Sequence, residues 1–260
     1  MRPIDQQTIL ITGATDGLGR ALAARLAAEG ATVLVHGRDD QRGKATLQEI
    51  GSRASWYRAD LSSVAETRAL AEAVRTDHPR LDVLVNNAGM AGPPSREEST
   101  DGHELTFQVN YLSGYLLTRL LLPTLTAPAR IVNVSSLAQQ PIDFDDVMLT
   151  RGYAPMRAYS QSKLAQILFT VDLAEELAGT GVTANALHPA SLMPTKMVPT
   201  PVSTLEEGLE ATYRLVTDPA LDDVSGRYFD GLEEARADAQ AYDPDARARL
   251  RDLSERLTAP

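Results

Sequence analysis

The sequence predicts an α/β fold, a three-layer doubly wound parallel sheet of about seven strands, on three observations. Short β-branched runs alternate with longer amphipathic segments along the 260 residues, the pattern of a parallel sheet with helices on both faces. The runs at 8–12, 82–86 and 130–135 are nearly continuous in apolar residues, as strands covered on both sides must be. Glycine or polar signals follow four of the strands, and ligands of such sheets collect at the strands' carboxyl ends.

In chain order, a strand at 8–12 leads into a helix at 17–29, with Leu18, Ala21, Leu22 and Leu26 on one face. Strand 32–36, helix 40–50, strand 54–58 and helix 62–77 continue the alternation, followed by strand 82–86, a long helical segment near 102–125 and strand 130–135. A helix near 156–178 and a strand at 182–187 come next, then a short strand near 227–229 and a charged helix near 244–257. No repeat, Gly/Ser linker or domain-separating charge block interrupts this series, so residues 1–260 are expected to form a single domain.

Composition narrows the chemistry. The absence of cysteine excludes disulfides, Cys-ligated metal sites and thiol nucleophiles. The net charge of −10 argues against a nucleic-acid or anionic-membrane surface. No segment approaches the roughly 20 apolar residues of a spanning helix, and a soluble, cytoplasmic protein is expected. His36, His78, His103 and His188 show no HExxH spacing, there is no GxSxG elbow, and no lysine of a P-loop follows the first glycines; no metal site is expected.

The first signal is Thr12-Gly13-Ala14-Thr15-Asp16-Gly17-Leu18-Gly19, three glycines between a strand and a helix start. Glycine permits a tight turn and lets a pyrophosphate approach the helix N-terminus, where free N–H groups and the dipole favour anions. The second is His36-Gly37-Arg38-Asp39-Asp40. After this strand an acid would accept ribose hydroxyls and an arginine would pair a 2′-phosphate. Arg38 comes first, which favours NADP(H) over NAD(H), the alternative being a solvated loop arginine. The third is Asn86-Asn87-Ala88-Gly89 after the fourth strand, a turn sequence in its own right. The fourth is Ser135-Ser136 at a strand end with Tyr159-Ser-Gln-Ser-Lys163 in a helix. Tyr and Lys at i and i+4 share a helix face, so an ammonium can tune a phenol whose pKa of about 10 must fall by roughly three units for acid–base work near neutrality.

Together TGxxxGxG, NNAG, the Ser-terminated strand and YxxxK resemble the short-chain dehydrogenase/reductase family over roughly residues 7–200, and the sequence looks nearest its retinol-dehydrogenase-like and protochlorophyllide-reductase-like branch. The resemblance implies a Rossmann-type fold and a catalytic set of Ser136, Tyr159, Lys163 and Asn110, the last through a backbone carbonyl that holds a relay water. It implies cofactor contacts from Thr12, Gly13, Thr15, Asp16, Gly17, Leu18, Gly19 and Arg38. Further contacts are implied for Asp60 and Leu61 at the adenine, for Asn87, Ala88 and Gly89, and for Pro189 and Ser191. Asp60 reads equally as a helix N-cap.

One departure from the family pattern is His188-Pro189-Ala190-Ser191 where Pro-Gly is usual, with Thr195 one position later than common. Ala190 disfavours positive φ, so the loop beneath the nicotinamide is expected to run differently and a Thr195 contact is in doubt. Loops 90–100, 137–158 and 190–204 are expected to shape the substrate site. The reading is therefore an NADP(H)-dependent enzyme acting on a small carbonyl or alcohol. The alternatives are an imine or activated-alkene reductase and a catalytically silent NADP(H) sensor. A homodimer or homotetramer is expected through 102–125 and 156–178, where Tyr111, Leu112, Tyr115, Leu116, Leu117, Leu120, Leu121 and Leu122 exceed what one buried face requires.

Overall fold

The computed structural model describes residues 1–194 and 200–259. One sheet of eight strands carries the chain, in the order β3-β2-β1-β4-β5-β6-β7-β8. Its strands are β1 (Thr8–Ile11), β2 (Thr32–Gly37), β3 (Ala54–Arg58), β4 (Leu81–Asn86), β5 (Leu125–Val134), β6 (Val182–His188), β7 (Tyr228–Asp230) and β8 (Glu233–Ala235). The first seven are parallel and β8 returns antiparallel along β7. The eighth strand escapes the sequence because Glu-Glu-Ala on a solvent-facing edge has no apolar alternation to find.

Burial on both faces explains the unbroken apolar strands. Ile9, Ile11, Val33, Val35, Val83 and Val85 pack beneath helices α1 (Gly17–Ala28) and α7 (Leu205–Thr217). Leu10, Leu34, Leu84 and Ile131 face the opposite layer with α3 (Val64–Asp77), α6 (Pro155–Glu176) and α8 (Pro244–Leu257). In α1, Leu18, Leu22 and Leu26 are buried as expected, Ala21 packs partly buried against the same cluster, and Ala23 is buried beside them. Helix α2 (Asp40–Ile50) lies beside β3, capped by Asp39.

Three segments differ from expectation. The helical segment near 102–125 begins as α4 (Leu105–Phe107), passes through a π-turn at Gln108–Leu112 and continues as α5 (Ser113–Leu121). Its neighbour β5 starts at Leu125, five residues early, with an irregular register against β4. Helix α7 has no counterpart in the sequence reading, although Thr204 and Glu207 form a capping box at its start.

The basis for pairing through 102–125 and 156–178 is also corrected. Tyr111, Leu112, Tyr115, Leu116, Leu117 and Leu121 are each 5% exposed or less within the single chain, and Leu120 and Leu122 pack partly against the same cluster. The chain covers the surplus itself. Helix α8 packs on α6, the Tyr111 hydroxyl meets Ser254 Oγ at 2.7 Å, and Arg247 of α8 pairs Glu175 of α6 at 2.7 Å. Among the described residues no helix is long and apolar enough to cross a membrane.

Candidate active site

Strand order reverses between β1 and β4, so their carboxyl ends open the crevice in which such sheets bind ligands. The glycine loop closes β1 onto α1 there. Gly13 takes φ +66°, and a Cβ on it would lie 2.9 Å from Ala88 Cα; a Cβ on Gly19 would run into Asn87 and lie 2.5 Å from Gly13 O. The loop is therefore packed backbone against backbone. Thr12 Oγ1 accepts the N–H groups of Asn87 and Ala88, each at 3.0 Å, and Asn87 Nδ2 donates to Thr12 O at 2.8 Å. The third sequence signal thus clamps the first. Asp16 caps α1 through the Gly17 N–H, which leaves Leu18 and Gly19 in the first helical turn, and the Thr15 methyl abuts Gly37.

His36 supports this loop from below, a role the sequence reading missed. Its Nδ1 accepts the Gly13 N–H at 3.2 Å, which assigns the proton to Nε2 and makes that atom the donor to Ala59 O, also at 3.2 Å. Burial pushes the imidazole down to about 4, so it stays neutral.

Past β2, the acids are engaged by the fold. Asp39 caps α2 by accepting from Gln41 and Arg42 N–H, and Asp40 accepts the Trp56 indole N–H at 2.9 Å. Arg38 is exposed and makes no hydrogen bond or ion pair among the described residues. Asp60 is not a helix cap: Ser63 caps α3, whereas Asp60 accepts the Ser62 N–H. Burial would raise the Asp60 carboxyl, but the Ser62 hydrogen bonds and the charges of Arg38 and Arg58 outweigh it and hold the group below its usual range. Leu61 is buried beside it, its carbonyl bonded to Gln108.

The fourth signal converges at the ends of β5 and α6. Ser135 Oγ donates to Lys163 O at 2.7 Å and is spent on structure. Ser136 Oγ accepts the Ala138 N–H at 3.1 Å; burial raises the Tyr159 phenol's pKa and outweighs the lowering influence of the nearby Ser136 hydroxyl. The lowering expected from Lys163 does not arise among the chain's own groups. The Lys163 ammonium lies 5.7 Å from the Tyr159 ring centroid and donates to Val134 O at 2.9 Å and Gln166 Oε1 at 3.1 Å; burial pulls it down to about 7. Gln166 was overlooked, although it stands three positions beyond Lys163 on the same helix face.

Asn110 sits in the π-turn, a feature frequent at functional sites. Its side chain is fully used, accepting the Met90 N–H at 2.8 Å and donating to Met90 O and Ser162 Oγ. It therefore ties the chain after Gly89 to α6, and a Cβ on Gly89 would lie 3.4 Å from both Asn110 and Lys163. Asn86, buried, donates to Thr118 and Asn133 and joins the ends of β4 and β5.

Beyond β6 the loop takes its left-handed residue at Leu192, φ +48°, two positions after Ala190, in keeping with the expected departure. Pro189 is buried, and Ser191 Oγ lies 3.1 Å from His188 Nε2. Thr195 lies outside the described residues, as does part of the 190–204 loop. The 137–158 segment is anchored rather than free. Ile142, Val147 and Leu149 are buried, and Gln161 Nε2 donates to Val147 O.

A glycine-walled cradle at a helix N-terminus, an arginine past β2 without a hydrogen bond or ion pair among the described residues, and a Ser–Tyr–Lys cluster beside Gly89 follow the carboxyl ends of the neighbouring strands β1, β2, β4 and β5, an arrangement suited to a dinucleotide. The model of the short chain dehydrogenase family matches residues 7–205. Human retinol dehydrogenase 13 is 36% identical over 282 residues, covering 98% of this chain and 85% of that protein. Among solved structures, an uncharacterized protein from Mycobacterium paratuberculosis superposes with a TM-score of 0.85 at 33% identity, covering 97% of this chain and 93% of that one. The 3-ketoacyl-(acyl-carrier-protein) reductase from Brucella melitensis, solved with NADH, gives a TM-score of 0.71 at 26% identity, covering 87% and 97%.

Proposed function

The chain belongs to the short chain dehydrogenase family, in its retinol-dehydrogenase-like branch, and from that premise we propose that it transfers hydride between NADP(H) and an apolar carbonyl or alcohol, with Tyr159 as general acid/base. The observation that carries this reading is the convergence of the Ser136 hydroxyl and the Lys163 ammonium on Tyr159, the ammonium 5.7 Å from the ring centroid. A nicotinamide cofactor held by the Gly13–Gly19 loop, Arg38 and Lys163 would supply the hydride for reduction of the carbonyl carbon. The Tyr159 hydroxyl gives its proton to the carbonyl oxygen, and Ser136 Oγ donates a hydrogen bond to the same oxygen. Lys163 stabilises the phenolate left behind, and the Asn110 backbone carbonyl holds the water through which the proton is replaced, its side chain being committed elsewhere. For alcohol oxidation, the positive charge of an oxidised nicotinamide held there would add phenolate stabilisation that the chain's own groups do not supply.

Preference for NADP(H) is supported by the division of charges past β2. Asp39 and Asp40 are held by α2 and Trp56, and exposed Arg38 is left for a 2′-phosphate. An apolar substrate is supported by where the exposed large hydrophobic residues lie. Four of the five among the described residues, Leu137, Met156, Leu192 and Val202, fall on the expected substrate loops at the carboxyl end of the sheet, and human retinol dehydrogenase 13 bears the name of such a substrate. The test is a panel of apolar and polar aldehydes and ketones with NADPH and NADH, followed by loss of reduced-nicotinamide absorbance. Consumption of apolar carbonyls with NADPH preferred is expected. Tight NADPH binding with no turnover across the panel would overturn the assignment in favour of a silent sensor.

A further inference from the structure

Lys163 and Gln166 are both 4% exposed, and with Tyr159 they stand at i, i+4 and i+7 on one face of α6. An ammonium has three donors and no acceptor. Two of the Lys163 donors are taken, by the Val134 carbonyl at 2.9 Å and by Gln166 Oε1 at 3.1 Å. Val134 offers a backbone atom that no substitution changes, so Gln166 is the side chain that determines how well the ammonium is received.

We propose that Gln166 is a positioning residue for the reaction, its carboxamide oxygen holding the Lys163 ammonium charged and in place beside Tyr159. This rests on the hydride-transfer reading above. Chemistry accounts for the residue type. A carboxylate here would trap the ammonium in a buried ion pair, whereas an apolar side chain would leave it one acceptor in a dry interior, where the neutral amine is favoured. A neutral dipole lies between these extremes. Burial already brings Lys163 to about 7, so one hydrogen bond decides whether the amine is charged near neutrality.

The other groups around Lys163 do not fill this role. Tyr159 shares its helix, and His188 on β6 has its own pKa lowered first by burial and in small part by Lys163, with Asp230 on β7 acting on His188 in the opposite sense. On the helical segment packed against α6, Glu104 spends its carboxylate on the N–H groups of Thr106 and Phe107, and Tyr111 is bonded to Ser254. Asp172 of α6 is two turns away and faces Arg247 and Arg251 of α8.

The sequence makes a direct test practical, because the chain has three lysines, Lys44, Lys163 and Lys196. With ¹⁵N-labelled lysine side chains and Lys163→Met to assign the signal, the Lys163 titration is read by NMR without substrate. Gln166→Met keeps the side-chain length but removes the acceptor and is expected to lower the midpoint by roughly one pH unit; Gln166→Glu is expected to raise it by at least as much. The alkaline limb of kcat for carbonyl reduction should move with it, downward in the Met variant and upward in the Glu variant. A packing role would lower activity or stability without moving the two midpoints in opposite directions. Midpoints that stay put, or that move in the same direction, overturn the proposal. If the Met variant does not fold, an unshifted Glu variant overturns it equally. A wild type that oxidises no NADPH would sink the hydride-transfer reading instead, and the titration would still decide whether Gln166 governs the ammonium.

Discussion

Replacing His36 by Gln should flatten the acid side of the stability profile. The imidazole is buried between the Gly13 N–H and Ala59 O, and burial, the largest cause, pushes it from 6.5 down to about 4 against the opposing pull of Ala59 O and Asp60. Between those two values the unfolded chain binds a proton that the folded chain refuses, so stability rises with pH across that window and is lost as pH falls through it. At about 1.4 kcal/mol per pH unit, the shift corresponds to about 3 kcal/mol of stability present at pH 7 and gone near pH 4. Protonation would also turn Nδ1 into a donor facing the Gly13 N–H, so the phosphate cradle should loosen first and NADPH affinity should weaken over the same window. Urea unfolding of wild type and His36→Gln at pH 7, 6, 5 and 4.5 checks this. Carboxylates held below their usual range, such as Asp218 and Asp222, also cost stability in acid, but equally in both proteins, so the difference between the curves isolates His36. Parallel curves would refute the reasoning.

Arg38→Ala should weaken NADPH binding by roughly 10- to 150-fold, the worth of a charge-assisted contact of on the order of 1.5–3 kcal/mol, and leave NADH binding nearly unchanged. Calorimetry with both cofactors checks this, and equal losses would contradict it. Leu250→Ala empties a position 2% exposed where α8 meets the core and should cost about 2–5 kcal/mol in urea unfolding. Because α8 lies away from the cofactor crevice, the NADPH dissociation constant should not change.

The parallel strands and most helices were legible because burial on both faces leaves an unbroken apolar run, and βα alternation has few solutions. What escaped was either too short to have a period, as in β8, or present and unread, as in α7, whose capping box and apolar stripe through Leu205, Leu209, Leu215 and Val216 both mark a helix. The surplus of apolar residues at Tyr111–Leu122 was read correctly as needing a cover, but a sequence cannot say whether that cover is a second copy or the chain's own α8. In the site, motif residues appear where spacing put them, because Gly, Asn, Tyr and Lys act there through backbone geometry and fixed helix offsets. Supporting residues such as His36 and Gln166 were not legible. Their importance lies in what they touch, the Gly13 N–H and the Lys163 ammonium, and neither contact follows from composition.

The central claim, that Tyr159 delivers the proton to a substrate oxygen held by Ser136, is tested most directly by Tyr159→Phe. The substitution keeps the aromatic ring on α6 and removes only the hydroxyl near Ser136. With any carbonyl found to be reduced by the wild type, kcat measured at saturating NADPH should fall by roughly 10²–10⁴ while the NADPH dissociation constant stays within a few-fold. Full turnover in Tyr159→Phe would contradict the account.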